Sequence, residues 1–272
     1  MCWVSADLVP DDLWERVAAL LPARPPRRHR HPGRLPADDR AALRGIVYVL
    51  RKSVSWRDVP AEQVGCGGVT AWRRLRDWTE AGVWPRLHEV LLAEPRKEGL
   101  LEMDDGAVDA SHVRALKGGA HTGPSPADRA RPGSKHHLIV DRHGTPPAVS
   151  PTSGNRHDVT QLMSPLDAIP PIRGPRGRPR GRPRRLFADR GYDFDKYRRL
   201  VRARGITPKT ARRGTPHGSG LGKTRWVVER TFTWLHHFKR LRIRYEIRAD
   251  LHLGLLQLAC SIICLRRLRT SF

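Results

Sequence analysis

The chain has 272 residues, enough for one large domain or two smaller ones with apolar cores, and it carries a formal net charge of +24 with a pI near 11.3. Charge of this size opposes a compact fold and is typical of proteins that bind nucleic acid; codon bias would explain arginine in place of lysine, but not the shortage of acidic residues. The four cysteines form no CxxC pair, and the N-terminus is unlike a signal peptide, which argues against a secreted protein held together by disulfides. The chain lacks a run of about eighteen apolar residues, which argues against a membrane protein. We therefore expect the protein in the cytoplasm, in association with the nucleoid.

The first part of the chain predicts a group of short helices. Apolar residues recur at helical spacing over 7–21, 38–52, 67–82 and 84–93, with a basic, proline-rich loop between the first two segments. The third helix carries Arg73, Arg74 and Arg76 between its apolar positions. Several short helices with a basic third member are typical of a helix-turn-helix module, so we expect a helical DNA-binding domain over residues 1–95.

The pattern changes after Pro95 to segments of alternating polarity. Strands are predicted over 106–113, 134–141, 147–150, 184–188 and 205–208, and helices over 157–169, 192–204, 224–239 and 251–268. The predicted order of elements is three strands followed by helix, strand, helix, strand and helix. This is the order of an RNase H-like fold, in which helices cover a mixed sheet. The sequence therefore predicts a mixed α/β chain, in which a helix-turn-helix-like domain precedes an RNase H-like catalytic domain over 96–272.

Three acidic residues occupy unusual positions on the predicted elements. Asp109 lies inside the first strand, Asp189 ends the fourth strand, and Glu229 lies on the apolar side of a helix. For any one of them taken separately, an acid paired with one of the many arginines is the alternative interpretation. Together they suit the cleavage of phosphodiesters, because a few shared carboxylates can hold the two divalent cations that this chemistry needs.

The segments around these acids resemble a known family. GAVDASHVRALKGG, RRLFADRGYDFDKYR and RWVVERTFTWLHHFKRLRIRYE are similar to the three catalytic segments of insertion-sequence-five-type bacterial transposases, in the DDE superfamily, and HPGRLPADDRAALRGIVYVLRKSVSWRDVPAE with TAWRRLRDWTEAGVW resembles their helical N-terminal domain. The resemblance implies that Asp109, Asp189 and Glu229 are catalytic and bind two ions of Mg²⁺ or Mn²⁺. It also implies that the partners are double-stranded DNA, as terminal inverted repeats and target, with a homodimer or larger assembly on DNA.

The chain departs from the family's signature around the glutamate, which is tyrosine, two residues, arginine, three residues, glutamate, six residues and lysine. Arg225 and Glu229 match, but Gly222 stands at the tyrosine position and His236 at the lysine position. The resemblance therefore implies a DNA contact at Arg225, and the role of the lysine falls to His236 or to Lys239.

Two further features are candidates for DNA contacts, each with an alternative. Lys135 begins a strand and either faces phosphate or lies on a solvated strand edge. Arg178, Arg180 and Arg182 belong to a tract of arginine, glycine and proline similar to hooks that enter the minor groove. A disordered basic loop that adheres to any phosphate backbone is the other interpretation of that tract.

Other functions are less consistent with the sequence. The histidine spacings fit no closed zinc site, and no nucleophile elbow surrounds Ser111. Two alternatives remain beside a transposase: a catalytically inactive DNA-binding regulator derived from one, and an RNase H-like nuclease that acts on RNA or hybrids. The intact set of three acids and the intact C-terminal helices argue against the regulator.

Overall fold

A computed structural model describes residues 7–24, 30, 35–214 and 220–270 of the chain. The helices are α1 Asp11–Ala18, α2 Asp39–Lys52, α3 Ala61–Val64, α4 Gly68–Glu80, α5 Val83–Lys97, α6 Met163–Asp167, α7 Asp195–Ala203, α8 Gly222–His236 and α9 Ala249–Arg269. The strands are β1 Asp105–Ala115, β2 Gly123–Pro124, β3 Pro132–Asp141, β4 Ala148–Ser153, β5 Arg185–Ala188, β6 Thr207–Thr210 and β7 Ile243–Arg244. The basic loop predicted after the first helix lies largely outside the described residues, as does part of the loop before α8.

The four helices predicted in the N-terminal part are confirmed as α1, α2, α4 and α5. Local signals account for their ends: the Asp38 carboxylate accepts a hydrogen bond of 2.9 Å from the Ala41 amide at the start of α2, and Ser53 ends that helix with a left-handed φ of 62°. At the start of α4, Gly68 lies directly against the carbonyl group of Trp56 in the 3-10 turn Trp56–Asp58. A Cβ at position 68 would stand only 1.6 Å from that carbonyl oxygen, so only glycine permits this approach.

The sheet has the strand order β2-β3-β1-β5-β6, with β4 also paired to β3 and β7 to β1. Strand β3 runs antiparallel to both of its neighbours β1 and β4, whereas β1, β5 and β6 run parallel to one another. Eight of the ten residues of β3 are buried, so elements cover both faces of the sheet there. An antiparallel meander extended by parallel strands is the predicted RNase H-like arrangement, and this fold is confirmed.

Helix α9 joins the N-terminal helices to the sheet. It packs against α4, α5 and α8 and against β4, and the buried apolar side chains of both parts form one continuous cluster. The closest approach is at Gly254, where an added Cβ would lie 2.7 Å from Cδ1 of the fully buried Trp84. By length and composition alone α9 is apolar enough to cross a membrane, but 78% of its most apolar window is buried inside the fold. It is therefore the core helix of this structure.

Several predicted boundaries differ from the structure. The helix predicted over 157–169 is a 3-10 turn followed by the short α6, and the helix predicted to reach Lys239 ends at His236. The short strands β2 and β7 were not predicted, because two residues give no periodic pattern. Helix α5 continues to Lys97 with Pro95 inside it. The division of the chain into domains near residue 95 stays a prediction.

The contact at Gly68 gives a stability prediction. Gly68→Ala should lower the free energy of unfolding by roughly 3 kcal/mol, because the methyl group forces α4 away from the Trp56 carbonyl. Gly67→Ala is the matched control: position 67 has an ordinary φ of −70° and open space around an added Cβ, so less than about 1 kcal/mol is expected. Thermal or urea unfolding of both variants checks this; equal losses would contradict the close approach.

Buried histidines predict a loss of stability in mild acid. Burial lowers the pKa of both His88 and His137 to about 4, so both stay neutral in the folded chain while unfolded histidines gain protons near pH 6.5. The free energy of unfolding should therefore be highest above pH 6.5 and should fall as the pH is lowered from 6.5 to 4. At about pH 5.5 the loss should be about 1.4 kcal/mol per histidine. Denaturant unfolding at several pH values measures this. His137→Gln should reduce the slope, and a change at the exposed His237 should not.

Candidate active site

Asp109 is held in the middle of β1 by two donors. Its Oδ1 accepts a hydrogen bond of 2.8 Å from the Ala110 amide, and its Oδ2 accepts one of 3.1 Å from Nη2 of Arg225 on α8. The carboxylate is largely buried, with 24% of the side chain exposed. Burial raises the pKa of Asp109, which the Ala110 amide and Arg225 counteract and the nearby Asp189 reinforces. The strand thus keeps a poorly solvated carboxylate beside a second one.

Asp189 directly follows β5, as predicted. Since β5 runs parallel to β1 with Ala107 opposite Phe187, the register extended by two residues places Asp189 next to Asp109, about 5 Å away between strands. Its Oδ1 accepts a hydrogen bond of 2.8 Å from the Gly191 amide, which fixes the side chain at the start of the 3-10 turn Arg190–Tyr192. Asp189, just past the end of β5, therefore stands beside Asp109 on the adjacent strand β1.

Glu229 lies on α8 one turn after Arg225, and its carboxylate is 3.9 Å from the Arg225 guanidinium. The prediction that it lies on the apolar side of the helix is wrong: 66% of its side chain is exposed. Val228 and Phe232, one helical turn apart, point to the core and leave position 229 about 100° further round the helix. Arg225 therefore connects a largely buried carboxylate on the sheet with an exposed one on the helix.

Tyr192 lies beside these groups and was not singled out from the sequence. Its side chain is buried, with 3% exposure, and its hydroxyl has no hydrogen-bond partner among the described residues. Burial raises the pKa of Tyr192 well above its usual value, and the carboxylates of Asp109, Asp158 and Asp189 add to the effect. Acidic residues in predicted strands and helices are conspicuous in the sequence, whereas a tyrosine with a neutral hydroxyl is typical of any apolar core.

The donor chemistry of the site suits a hard divalent cation, which prefers carboxylate oxygens. Within the described ranges, however, no three histidine, cysteine, aspartate or glutamate side chains lie close enough together to hold a metal ion. The Arg225 guanidinium stands between Asp109 and Glu229 instead and supplies the compensating positive charge. A cation bound by all three acids requires Glu229 to turn inward, which its exposed position permits.

The predicted DNA contacts of α4 differ in their availability. Arg74 is paired with Asp39 at 3.1 Å, and Arg76 with Asp77 at 2.7 Å. Arg73 is exposed and has no ion pair within the described part of the chain. Of these three arginines, Arg73 is the one whose charge is uncommitted.

The arginine tract forms an exposed turn closed by a bridge between Ile172 and Arg180. Arg180 is paired with Asp104 at 2.8 Å, whereas Arg178 and Arg182 are exposed. This tract enters β5 at its first residue, at the opposite end of the strand from Asp189. The uncommitted charge of the tract thus lies a strand's length from the carboxylates.

Lys135 and the C-terminal end of α8 offer less to DNA than the sequence indicated. Nζ of Lys135 donates to Asp158 Oδ1 at 2.8 Å and to the Arg156 carbonyl at 2.9 Å. His236 is half-buried against Phe232, and burial followed by the charge of Arg242 lowers its pKa. Lys239 is exposed in the turn that follows α8.

Comparison with known proteins places the chain among mobile-element proteins. The family description "Transposase DDE domain" matches residues 101–264, and the description of transposases of the IS4/5 family matches residues 9–88. The chain is 61% identical to the protein assigned as the transposase for insertion sequence element IS402 of Burkholderia cepacia. This match extends over 150 residues, which is 55% of this chain and 71% of the relative. It is 27% identical over 140 residues, 49% of its length and 98% of the relative's, to the one assigned to IS6501 of Brucella ovis.

Two solved structures share the general arrangement at low similarity. The catalytic core domain of BIV integrase has a TM-score of 0.35 and 15% identity, with 62% of this chain and 99% of that one covered. The Mos1 strand transfer complex has a TM-score of 0.32 and 11% identity, with 91% and 78% covered. Similarity this low has no bearing on function.

The lowered pKa of His236 gives a pH prediction. Because its pKa is lowered, His236 is mainly neutral between pH 7 and 8 and gains charge as the pH falls, so it supplies little positive charge to DNA over pH 7–8. The DNA affinity of wild type and His236→Ala should therefore run parallel over that range, measured by fluorescence anisotropy. A steeper decline for wild type with rising pH would show instead that bound phosphate restores the charge of His236.

Proposed function

The chain belongs to the transposase DDE domain family and is a transposase of an insertion sequence, and from this premise we propose that Asp109, Asp189 and Glu229 cleave DNA at the ends of the element and join the freed 3′-hydroxyls to target DNA. The observation that carries the proposal is the register of β1 and β5, which sets two aspartates side by side. The third acid faces them from α8 across Arg225.

Each acid has a role that its surroundings support. Backbone amides fix one oxygen of Asp109 and one of Asp189, so the two carboxylates are oriented before any ligand arrives. Glu229, on the exposed face of α8, closes the site when DNA is bound. Asp109, Asp189 and Glu229 would hold two divalent cations, Mg²⁺ or Mn²⁺, which would supply activation of the attacking oxygen and stabilisation of the leaving oxygen. The protein contributes positioning and electrostatics, without a covalent intermediate.

Arg225 has two states in this proposal. Its guanidinium neutralises Asp109, a poorly solvated carboxylate, and lies beside the exposed Glu229. When DNA binds, the guanidinium would instead contact a phosphate of the DNA, as its position in the family signature implies. The same positive charge would thus serve the protein with and without DNA.

DNA is bound by the surfaces that keep uncommitted positive charge. We assign terminal-repeat recognition to the N-terminal helices, with Arg73 as the leading contact, and backbone contacts to Arg178, Arg182 and Lys239. Arg74, Arg76, Arg180 and Lys135 contact DNA only if they leave their acidic partners, and His236 contributes little positive charge at neutral pH. The chain acts on the nucleoid as a homodimer or larger assembly, since two ends are processed together.

A catalytically inactive DNA-binding regulator is the second candidate. The Arg225 contacts favour it, because in such a protein they would be permanent and no cation would displace them. Binding of Mn²⁺ to the full chain separates the two hypotheses. A transposase binds the ion, and the regulator does not.

The proposal predicts the loss of cleavage in three variants. Asp109→Ala, Asp189→Ala and Glu229→Ala should each lower cleavage of DNA carrying the inverted repeats that flank the gene by at least about a thousandfold, while DNA binding stays within a few-fold. Asp195→Ala is the control, since that carboxylate on α7 is 80% exposed and lies on another element. Cleavage by Asp189→Ala near the wild-type rate would contradict the assignment.

The arginines of α4 predict a difference in salt dependence. Arg73→Gln should reduce the slope of log affinity against log salt by about 0.9, the value for one phosphate contact. Arg74→Gln should change it less, because Asp39 and Asp77 already neutralise that charge. Anisotropy titrations of the full chain at several salt concentrations test this, and equal slopes for wild type and Arg73→Gln would remove Arg73 from the interface.

A further inference from the structure

We propose that the hydroxyl of Tyr192 is a hydrogen-bond donor of the carboxylate site, reserved for an oxygen atom that enters it, either a water molecule or a phosphate oxygen of DNA. The inference rests on the proposed function and adds a residue to it. It begins from the position of the group: a buried tyrosine oxygen without a partner in the described chain, within electrostatic reach of Asp109, Asp158 and Asp189.

The oxygen of Tyr192 is unfavourable for the folded chain as it stands. A buried hydroxyl that has lost its hydrogen bonds to water and gained none is destabilising, whereas phenylalanine would fill almost the same volume without that penalty. Packing therefore explains the ring but not its oxygen. A buried polar atom without a partner indicates a ligand or a catalytic role.

The backbone fixes where the ring stands. Tyr192 closes the 3-10 turn that starts at Asp189, with its amide donating to the Asp189 carbonyl at 3.2 Å. Residues three apart in a 3-10 turn lie on the same side, so the ring stands over Asp189. The cavity that Tyr192 lines together with α7 has a volume of only about 10 Å³, the space of a single water molecule at most, so the ring has little room to move towards α7.

The neighbouring carboxylates already have donors. Asp109 accepts from the Ala110 amide and Arg225, Asp189 from the Gly191 amide, and Asp158 from Lys135. The hydroxyl therefore lies near carboxylates that accept hydrogen bonds from other donors, and it bonds to none of them. An oxygen bound between Asp109 and Asp189 would supply the acceptor that Tyr192 lacks, and this is the part of the site that the register of β1 and β5 creates.

The test removes the one oxygen atom and keeps the ring. Tyr192→Phe is compared with wild type and with Tyr197→Phe, the same change in a partly buried tyrosine of α7 that packs against Phe194. Three quantities are measured on the full chain: the melting temperature without metal, the affinity for Mn²⁺ alone from the electron paramagnetic resonance of the free ion, and the affinity for a short mixed-sequence DNA duplex in Ca²⁺.

In the metal-free protein, Tyr192→Phe should melt at the wild-type temperature or about 2–4 °C higher, because an unsatisfied hydroxyl is gone. A roughly tenfold loss of Mn²⁺ affinity identifies water as the acceptor. An unchanged Mn²⁺ affinity with a roughly tenfold loss of DNA affinity identifies phosphate. Tyr197→Phe should lower neither affinity.

Two outcomes would overturn the inference but not the proposed function. In the first, wild type binds Mn²⁺ and Tyr192→Phe keeps the wild-type affinities for both Mn²⁺ and DNA. In the second, the metal-free melting temperature of Tyr192→Phe falls by several degrees, which would mean that the hydroxyl has a partner within the protein. A wild-type chain that binds no Mn²⁺ would instead contradict the proposed metal site, so the two failures are distinguishable.

Discussion

The burial of α9 on two sides is the interaction on which the rest of the structure depends. One side packs on α4 and α5, the other on α8 and β4, and fourteen of its residues are buried. The removal of that much apolar surface from water is the largest favourable contribution a helix can make to folding. Helix α9 also contacts α8, which packs directly on β1 and β3 and carries Arg225 and Glu229.

The second constraint is electrostatic. The chain has a net charge of +24 and few acidic residues, and many of these acids form ion pairs with arginine. These pairs decide which positive charges remain for a polyanion: Asp39, Asp77, Asp104 and Asp158 each hold a cation that the sequence alone offers to DNA. The buried pair of Arg240 and Glu246 belongs to the core instead and adds nothing to the surface.

Sequence patterns predicted the order of the main strands and helices along the chain and the strand positions of both aspartates, because a charge inside or at the end of a strand is visible in the sequence alone. The predicted helix face for Glu229 was wrong, because flanking valines define the direction of a side chain around the helix axis only to within about 100°. The pairing of Lys135 and the orphaned hydroxyl of Tyr192 had no sequence signal at all. Both depend on the turn Asp158–Gln161 folding against the turn that follows β5, and such a contact between distant segments has no periodicity.

The contact between Trp84 and Gly254 has a consequence for how such proteins can change over evolutionary time. The N-terminal helices and the sheet that carries Asp109 share the surface of α9, and the indole of Trp84 occupies the space that a side chain at position 254 would need. A new set of N-terminal helices, acquired by recombination from a relative, would bring its own side chain to that surface. Such an exchange succeeds only when the matching face of α9 is inherited with it, so the N-terminal helices and the core helix are exchanged together.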